Sequence, residues 1–549
     1  MRIAVACGED GGGTLRPVGD DGAPAGPAER VADLAAAIAD RERAAAPRWV
    51  WPSTARVYPR LLRAGVRVAR CHDLELVETL LLGHDGRHGE PRSVRAAWAR
   101  LNGAPVPDDP APPDVRPQPS LFDDAETGGA PDAGARHDDI DLVVAVHAAQ
   151  RRRVAGLEGF ALLAAAESAG ALVAAEMGHD GLPWSAERHD ALLTELLGPR
   201  PSGGLRPRRL QELADRIGEA FGRHVNPDSP AQVVKAFAAA GLPVPSTRAH
   251  VLKRVDHPAV PLLLEYKELA RLHTAHGWTW LDTWVSGGRF RPEYVVGGVV
   301  SGRWATNGGG ALQIPRVLRR AVVADPGWAL VVADAAQLEP RVLAALAGDR
   351  AFARAAAEGD LYSALADAFG GARDKAKIAL LSAMYGGGTG EAVQLLAVLK
   401  SRFPEAFGFV ESAARAGERG HLVRSLLGRT CPPPSAEWRA LTAEGTERAA
   451  AAARSRGRFT RNFVVQATAA DWALVLLATL RRRLAALGPP RLVFFQHDEV
   501  IVHSPAELAE EVGAAVRASA EEAGRLLFGR TPVVFPMETA VVDCYADAK

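Results

Sequence analysis

The stretch Leu330-Val331-Val332-Ala333-Asp334-Ala335-Ala336-Gln337-Leu338-Glu339-Pro340-Arg341 constrains the fold more than any other. Its first four residues are apolar and two are β-branched, which suits a strand packed on both faces. The run ends on Asp334, an acid placed where a strand gives way to a turn. A carboxylate on so rigid a support suits a hard cation such as Mg²⁺, which takes oxygen ligands. The plainer reading is an acid capping the next helix. A second acidic strand end would shift the balance.

Such an end lies far downstream. Arg491 to His503 reads as a β-hairpin, two apolar strands with His497-Asp498-Glu499 at the tip. Tight hairpins favour Gly or Asn there, so these acids are poor turn formers and good candidates for chemistry. If the hairpin adjoins the Asp334 strand, Asp334 and Asp498 share a pair of Mg²⁺ ions, with Glu499 a weaker third ligand. That is the two-metal arrangement for in-line phosphoryl transfer. Between the two strand regions, residues 348–485 are mostly helical, so one sheet is completed by distant segments and the insertion stands as a lobe.

The insertion supplies cations. Arg373, Lys377, Leu381 and Tyr385 recur every fourth residue and share one helical face, basic at one end and aromatic at the other. Such a face suits a triphosphate and then a sugar or base, though it also fits a solvated basic face running into core. Gly386-Gly387-Gly388 ends the helix. The chain otherwise defaults to Arg, with Lys only at 235, 253, 267, 375, 377, 400 and 549, so a compact ammonium at 377 counts against the plain reading. Arg458, Asn462 and Gln466 repeat the spacing of four on a second face suited to a polar partner.

Bulk properties bound the rest. A chain of 549 residues is too long for one core. Its formal net charge is zero, so any nucleic-acid binding comes from local basic faces. The four cysteines, Cys7, Cys71, Cys431 and Cys544, show no ligand or disulfide spacing and fit a reducing cytoplasm. The start MRIAVACGEDGGG lacks the pattern of a signal peptide. No uninterrupted apolar run approaches the roughly 20 residues of a spanning helix. The expectation is a soluble cytoplasmic protein without a membrane partner. Residues 1–103 read as a small α/β unit with helices over 30–38 and 74–82, and 104–139 as a Pro/Asp-rich flexible linker.

Taken together, these motifs resemble the polymerase region of the bacterial DNA polymerase I family, the family A DNA polymerases. Asp334 to Arg341 resembles that family's Asp-Tyr-Ser-Gln-Ile-Glu-Leu-Arg motif. Arg373, Lys377, Leu381, Tyr385 and Gly386 resemble its fingers-helix motif, and His497-Asp498-Glu499 its His-Asp-Glu motif. Ser301-Gly302-Arg303, Leu312-Gln313-Ile314-Pro315, Leu264 to Leu269 and Asn462 to Asp471 resemble further segments in the family's order. The resemblance covers about residues 170 to 549.

It implies an α/β (α+β) right-hand fold of palm, fingers and thumb, preceded by the small α/β domain. Residues 140–275 would hold a helical region and the thumb, 276–347 and 486–549 the palm, and 348–485 the fingers and adjoining helices. The implied activity is template-directed addition of dNTPs to a primer 3′ end, in repair or gap filling, by a nucleoid-associated monomer. By resemblance, Asp334 and Asp498 bind two Mg²⁺, and Arg373 and Lys377 hold the triphosphate, with Lys377 a proton donor to pyrophosphate. Leu381, Tyr385, Gln337 and Glu339 surround the nucleotide, Glu339 excluding a 2′-hydroxyl. Arg303, Gln313, Arg458, Asn462, Gln466 and His497 contact primer-template DNA.

Departures from the pattern matter. Ala335, Ala336 and Pro340 replace Tyr, Ser and Leu, so Glu339 is expected to lack a tyrosine partner, and Leu381 replaces an aromatic. A slower enzyme with relaxed sugar selection is one alternative, and a catalytically weakened primer-template-binding relative another. A single-subunit RNA polymerase shares several elements, but Glu339 and Glu499 favour the DNA enzyme. Asp73-Leu74-Glu75 has the spacing of a 3′–5′ exonuclease acid pair, yet it opens a helix where the family uses a strand. The N-terminal domain therefore reads as a degenerate exonuclease-like unit without that activity. Within the linker, Gln118, Leu121 and Phe122 resemble the short peptide by which replication proteins bind the sliding clamp.

Overall fold

The computed structural model describes residues 1–8, 10–110, 139–357, 360–386 and 391–548. The Gln118, Leu121 and Phe122 motif lies outside the described residues. Two compact units emerge, one of Met1–Asp180, Glu293–Asn307 and Val331–Ala540, the other of Gly181–Pro292, Gly308–Leu330 and Val541–Lys549.

In the first unit, a five-stranded sheet runs in the order Glu29–Val31, Gly13–Val18, Arg2–Cys7, Arg48–Trp51, Arg70–Asp73. Its first pairings are antiparallel and its last two parallel. Period-two alternation divides Arg2–Cys7 between two cores. Ile3 and Val5 join Trp49, Trp51, Tyr58 and Leu172 on one face. Ala4 and Ala6 join Val50, Val143, Val144 and Val146 on the other. Helices Phe160–Asp180 and Ile140–Ala155 thus cover the sheet, one on each face.

This differs from the sequence-based division at residue 140, which separated these helices from residues 1–103. A strand buried on both sides needs two covers, and residues 1–103 leave part of each to helices that follow the linker. The span 140–275 is instead divided at Asp180, and residues 541–549 group with the second unit. Residues 30–38, read as helix, hold the strand Glu29–Val31 and the start of helix Leu34–Ala45, which Asp33 caps.

The second sheet of interest runs Arg491–Gln496, Glu499–Pro505, Trp328–Ala335, Met537–Val542. Leu330, Val331, Val332 and Ala333 are all buried, the doubly covered strand expected from their composition. Gln496 pairs with Glu499, leaving His497-Asp498 as a two-residue turn. Between these strands the chain forms helices that include Leu338–Ala347, Leu361–Ala366, Arg373–Tyr385, Pro404–Glu418 and the 41-residue Glu447–Leu487. Phe160–Asp180 and Glu447–Leu487 are long and apolar enough to cross a membrane by length and composition, yet 72% and 89% of their most apolar windows are buried inside the protein. They are core helices.

The second unit holds helices Ala186–Leu197, Arg208–Ala220, Pro230–Ala239 and Ala259–His276. Its core includes Trp184, His189, Trp280 and Phe290 in mutual ring contact.

Candidate active site

The two acidic strand ends meet. The Ala335 N–H donates to the Asp498 carbonyl at 3.1 Å, and the Ala336 N–H to the Pro536 carbonyl at 3.1 Å. Asp334 and Asp498 therefore sit at the same end of neighbouring strands, both half-buried, with Glu499 buried beside them.

Backbone strain accompanies this junction. Gln337 and His497 are two of the three non-glycine residues with positive φ among those described, at 55° and 57°. Left-handed backbone costs an ordinary side chain about 1–2 kcal/mol, so each needs outside support. Gln337 finds it through its amide, which donates to Asp360 Oδ1 at 2.7 Å and accepts from the Leu361 N–H at 2.9 Å. Arg341, fully buried, donates to the carbonyls of Ala336, Ala356 and Val534 and pins the same strand end. On the hairpin, the Tyr294 hydroxyl donates to the Phe495 carbonyl at 2.8 Å and accepts from its N–H at 3.1 Å. Trp304 packs edge-on against the Phe495 ring.

Glu339 joins three segments. One of its oxygens accepts from Arg303, the other from the Tyr385 hydroxyl. Burial, then the hydrogen bond to Glu339, pushes the Tyr385 phenol well above its ordinary range, against a smaller lowering influence from nearby Gln466. The expectation that Glu339 lacks a tyrosine partner is therefore corrected. Its partner comes from the facing helix, 46 residues along the chain, and does not depend on what stands at Ala335. Pro340 is accommodated because it falls in the first turn of Leu338–Ala347, where its missing N–H has no intrahelical acceptor.

Arg303 rides on a loop with a buried ionic floor. Gly302 has φ +86°, and a Cβ there would stand 2.4 Å from Arg429 Nε, so the position needs glycine twice over. Arg429 itself is clamped by Glu167 at 2.7 Å and Asp471 at 2.8 Å, all three nearly inaccessible. The Ser425 hydroxyl donates to the second Asp471 oxygen at 2.6 Å.

On Arg373–Tyr385, Arg373 and Lys377 are exposed and Leu381 and Tyr385 half-buried, the gradient read from the sequence. Gly386 ends the helix at φ +65° with its N–H on the Ser382 carbonyl. Arg373 Nε donates to Asp360 Oδ2 at 2.7 Å. Arg458 lies over Gly386, and Asn462 carries a buried amide oxygen without a hydrogen-bond partner among the described residues. His497 is exposed, and its imidazole pKa is lowered by partial burial and then by the charge of Arg303. Arg303, Glu339, Tyr385, Gln466 and His497 thus form one neighbourhood. Gln313 belongs to the second unit, on the short 3₁₀ turn Ala311–Gln313. Sequence reasoning did not single out Asp360, Arg341 or Arg429. Asp360 carried one legible signal, an acid at a helix N-cap.

The donor set fits a hard divalent cation. Among the described residues no group of three or more His, Cys, Asp or Glu is arranged to hold a metal unaided. One or two carboxylates completed by water and substrate phosphates is how Mg²⁺ is commonly held at phosphoryl-transfer sites.

Comparison with known proteins first defines the fold. A solved structure described as the POL domain of Pol1 from M. smegmatis, in complex with DNA primer-template and dNTP, superposes with a TM-score of 0.71 at 18% identity, covering 99% of this chain and 95% of that one. The fold is the α/β polymerase fold. The sequence then defines the family, because residues 206–541 match the model of DNA polymerase family A and the chain belongs to that family. Thermostable DNA polymerase I of Thermus aquaticus is 30% identical over 331 residues, 54% of this chain and 37% of that protein. The thermostable DNA polymerase I of Thermus thermophilus is 27% identical over 422 residues, 66% of this chain and 48% of that protein. The DNA polymerase of Mycobacterium phage L5 is 31% identical over 232 residues, 40% of this chain and 35% of that protein. The chain spans less than half the length of each of these curated relatives.

Proposed function

We propose that this chain is a template-directed DNA polymerase that extends a primer 3′ end with dNTPs, acting as a monomer in the bacterial cytoplasm in repair or gap filling. The observation that carries the reading is the Ala335 to Asp498 hydrogen bond, which sets the two motif acids side by side in a family A chain. In this proposal Asp334 and Asp498 hold two Mg²⁺, which when bound supply positive charge to the attacking and leaving oxygens. Arg373 and Lys377 bind the triphosphate of the incoming nucleotide, and Lys377 gives its proton to the departing pyrophosphate. Glu339, held by Tyr385, occupies the space a 2′-hydroxyl would need. Arg303, Gln313, Arg458, Asn462, Gln466 and His497 contact primer-template DNA, by backbone and minor-groove edges that do not depend on sequence. Gln118, Leu121 and Phe122 engage the sliding clamp.

A second reading, altered sugar discrimination, is favoured by Leu381 alone, since Glu339 keeps a tyrosine. The proposal also takes the N-terminal domain to lack 3′–5′ exonuclease activity. Asp73 accepts from the Thr54 N–H at 2.7 Å and the Leu76 N–H at 2.9 Å, and Glu75 is paired with Arg56. Primer extension with dNTPs or rNTPs tests the reading. Extension with dNTPs supports it, preference for rNTPs moves it to RNA synthesis, and binding without extension makes the protein a primer-template-binding relative.

A further inference from the structure

Asp360 does more than cap a helix. Its Oδ1 accepts from the N–H groups of Tyr362 and Ser363, at 3.0 and 3.3 Å, and from Gln337 Nε2 at 2.7 Å. Its Oδ2 accepts from the Ser363 hydroxyl at 2.8 Å and from Arg373 Nε at 2.7 Å. One carboxylate therefore links the strand end that bears Asp334, through Gln337, to the first residue of the Arg373–Tyr385 helix. Burial alone would raise the Asp360 pKa, but the hydrogen bonds from Arg373, Ser363 and Gln337 outweigh it and hold the group well below the usual carboxylate range.

The way Arg373 is held matters as much as the fact. Asp360 takes only the Nε edge. The guanidinium carbon lies 5.5 Å from the centroid of the Tyr362 ring, a cation–π distance. The two Nη groups have no partner among the described residues. A guanidinium fixed at one edge and backed by a ring keeps its terminal fork free, and that fork is the part that recognises phosphate in a bidentate manner. A carboxylate that merely competed with phosphate for Arg373 would instead occupy the fork.

We propose that Asp360 is a positioning residue for the incoming nucleoside triphosphate. It turns the Nη fork of Arg373 towards the phosphates and ties that orientation, through Gln337, to the strand end carrying Asp334. The inference rests on the reading of Arg373 as a triphosphate ligand. Gln337, left-handed at the junction, is the bridge and explains why a strained residue is kept there.

Asp360→Asn tests this. Asparagine is as good an N-cap as aspartate, so the helix start survives. An amide turned with its oxygen to the cap presents N–H donors to the Arg373 N–H, and the orientation is lost. Steady-state primer extension should show KM for dNTP raised about tenfold, with kcat within about twofold and primer-template affinity unchanged. A purely structural defect would lower kcat or primer binding instead. Arg373→Ala should raise KM by at least as much, and Asp360→Asn in that background should add nothing, since two residues acting through one contact are not additive. If Arg373→Ala raises KM while Asp360→Asn leaves it unchanged or lowers it, Asp360 is not a positioning residue. If Arg373→Ala leaves KM unchanged, the reading of Arg373 fails and the inference falls with it.

Discussion

Arg429→Met tests how the site's scaffold is held. Arg429, Glu167 and Asp471 have side-chain exposures of 7%, 3% and 0%, so solvent cannot compensate for a missing charge. Replacing the arginine leaves two buried carboxylates facing each other, and breaking a buried pair this way costs about 3–5 kcal/mol. Against a total stability of about 5–15 kcal/mol for a domain, that is a large fraction. The sign of the pH dependence follows from Asp471, whose pKa burial already raises above the ordinary value despite Arg429. Without Arg429 it rises further, while the unfolded carboxyl stays near 3.9. The folded variant then holds a proton that the unfolded chain has lost, so its stability increases as pH falls from 8 to 5. Urea denaturation followed by tryptophan fluorescence should give a deficit of about 4 kcal/mol at pH 8 that narrows towards pH 5. A deficit below about 1 kcal/mol, or one equal at both pH values, refutes the reasoning.

Two further outcomes are expected. Glu339→Ala removes the side chain proposed to fill the space of a 2′-hydroxyl, together with its contacts to Arg303 and Tyr385. The rNTP-to-dNTP incorporation ratio should rise by about tenfold or more, and an unchanged ratio would show that Glu339 does not judge the sugar. In the second unit, burial lowers the pKa of His189 and of His276 to about 4. The Trp184 indole donates to His189 Nδ1 at 3.2 Å, which fixes His189 as the neutral Nε2–H tautomer, and its Nε2 then donates to the His276 carbonyl at 2.9 Å. With folded values below the unfolded 6.5, their stabilisation is complete above pH 6.5 and is lost between 6.5 and 4. The melting temperature should fall across that window, less steeply in His189→Gln, and an equal slope in both proteins would contradict it.

Local signals made the Trp328–Ala335 strand, the hairpin and the Arg373–Tyr385 helix legible, because each is written in contiguous residues: the Leu330–Ala333 run, the paired apolar strands, the terminal Gly386. What was not legible depends on distant partners. The division at residue 140 failed because both faces of Arg2–Cys7 borrow cover from helices beyond the linker. The tyrosine of Glu339 was sought next door and stands 46 residues away. The positive φ of Gln337 and His497 is imposed by tertiary contacts that no local preference announces. Asp360 was hidden for a related reason, since an acid before a helix already has an ordinary explanation as its cap.

The central claim is that Asp334 and Asp498 form one catalytic unit. Single-turnover incorporation of a dNTP with Mg²⁺, measured for Asp334→Ala, Asp498→Ala and the double variant, tests it most directly. Loss of several kcal/mol of transition-state stabilisation corresponds to about a thousandfold in rate. Each single variant should lose that much, and the double variant little more, with primer-template affinity kept. A single variant that retains a tenth of the wild-type rate, or losses that simply multiply, would contradict the shared site.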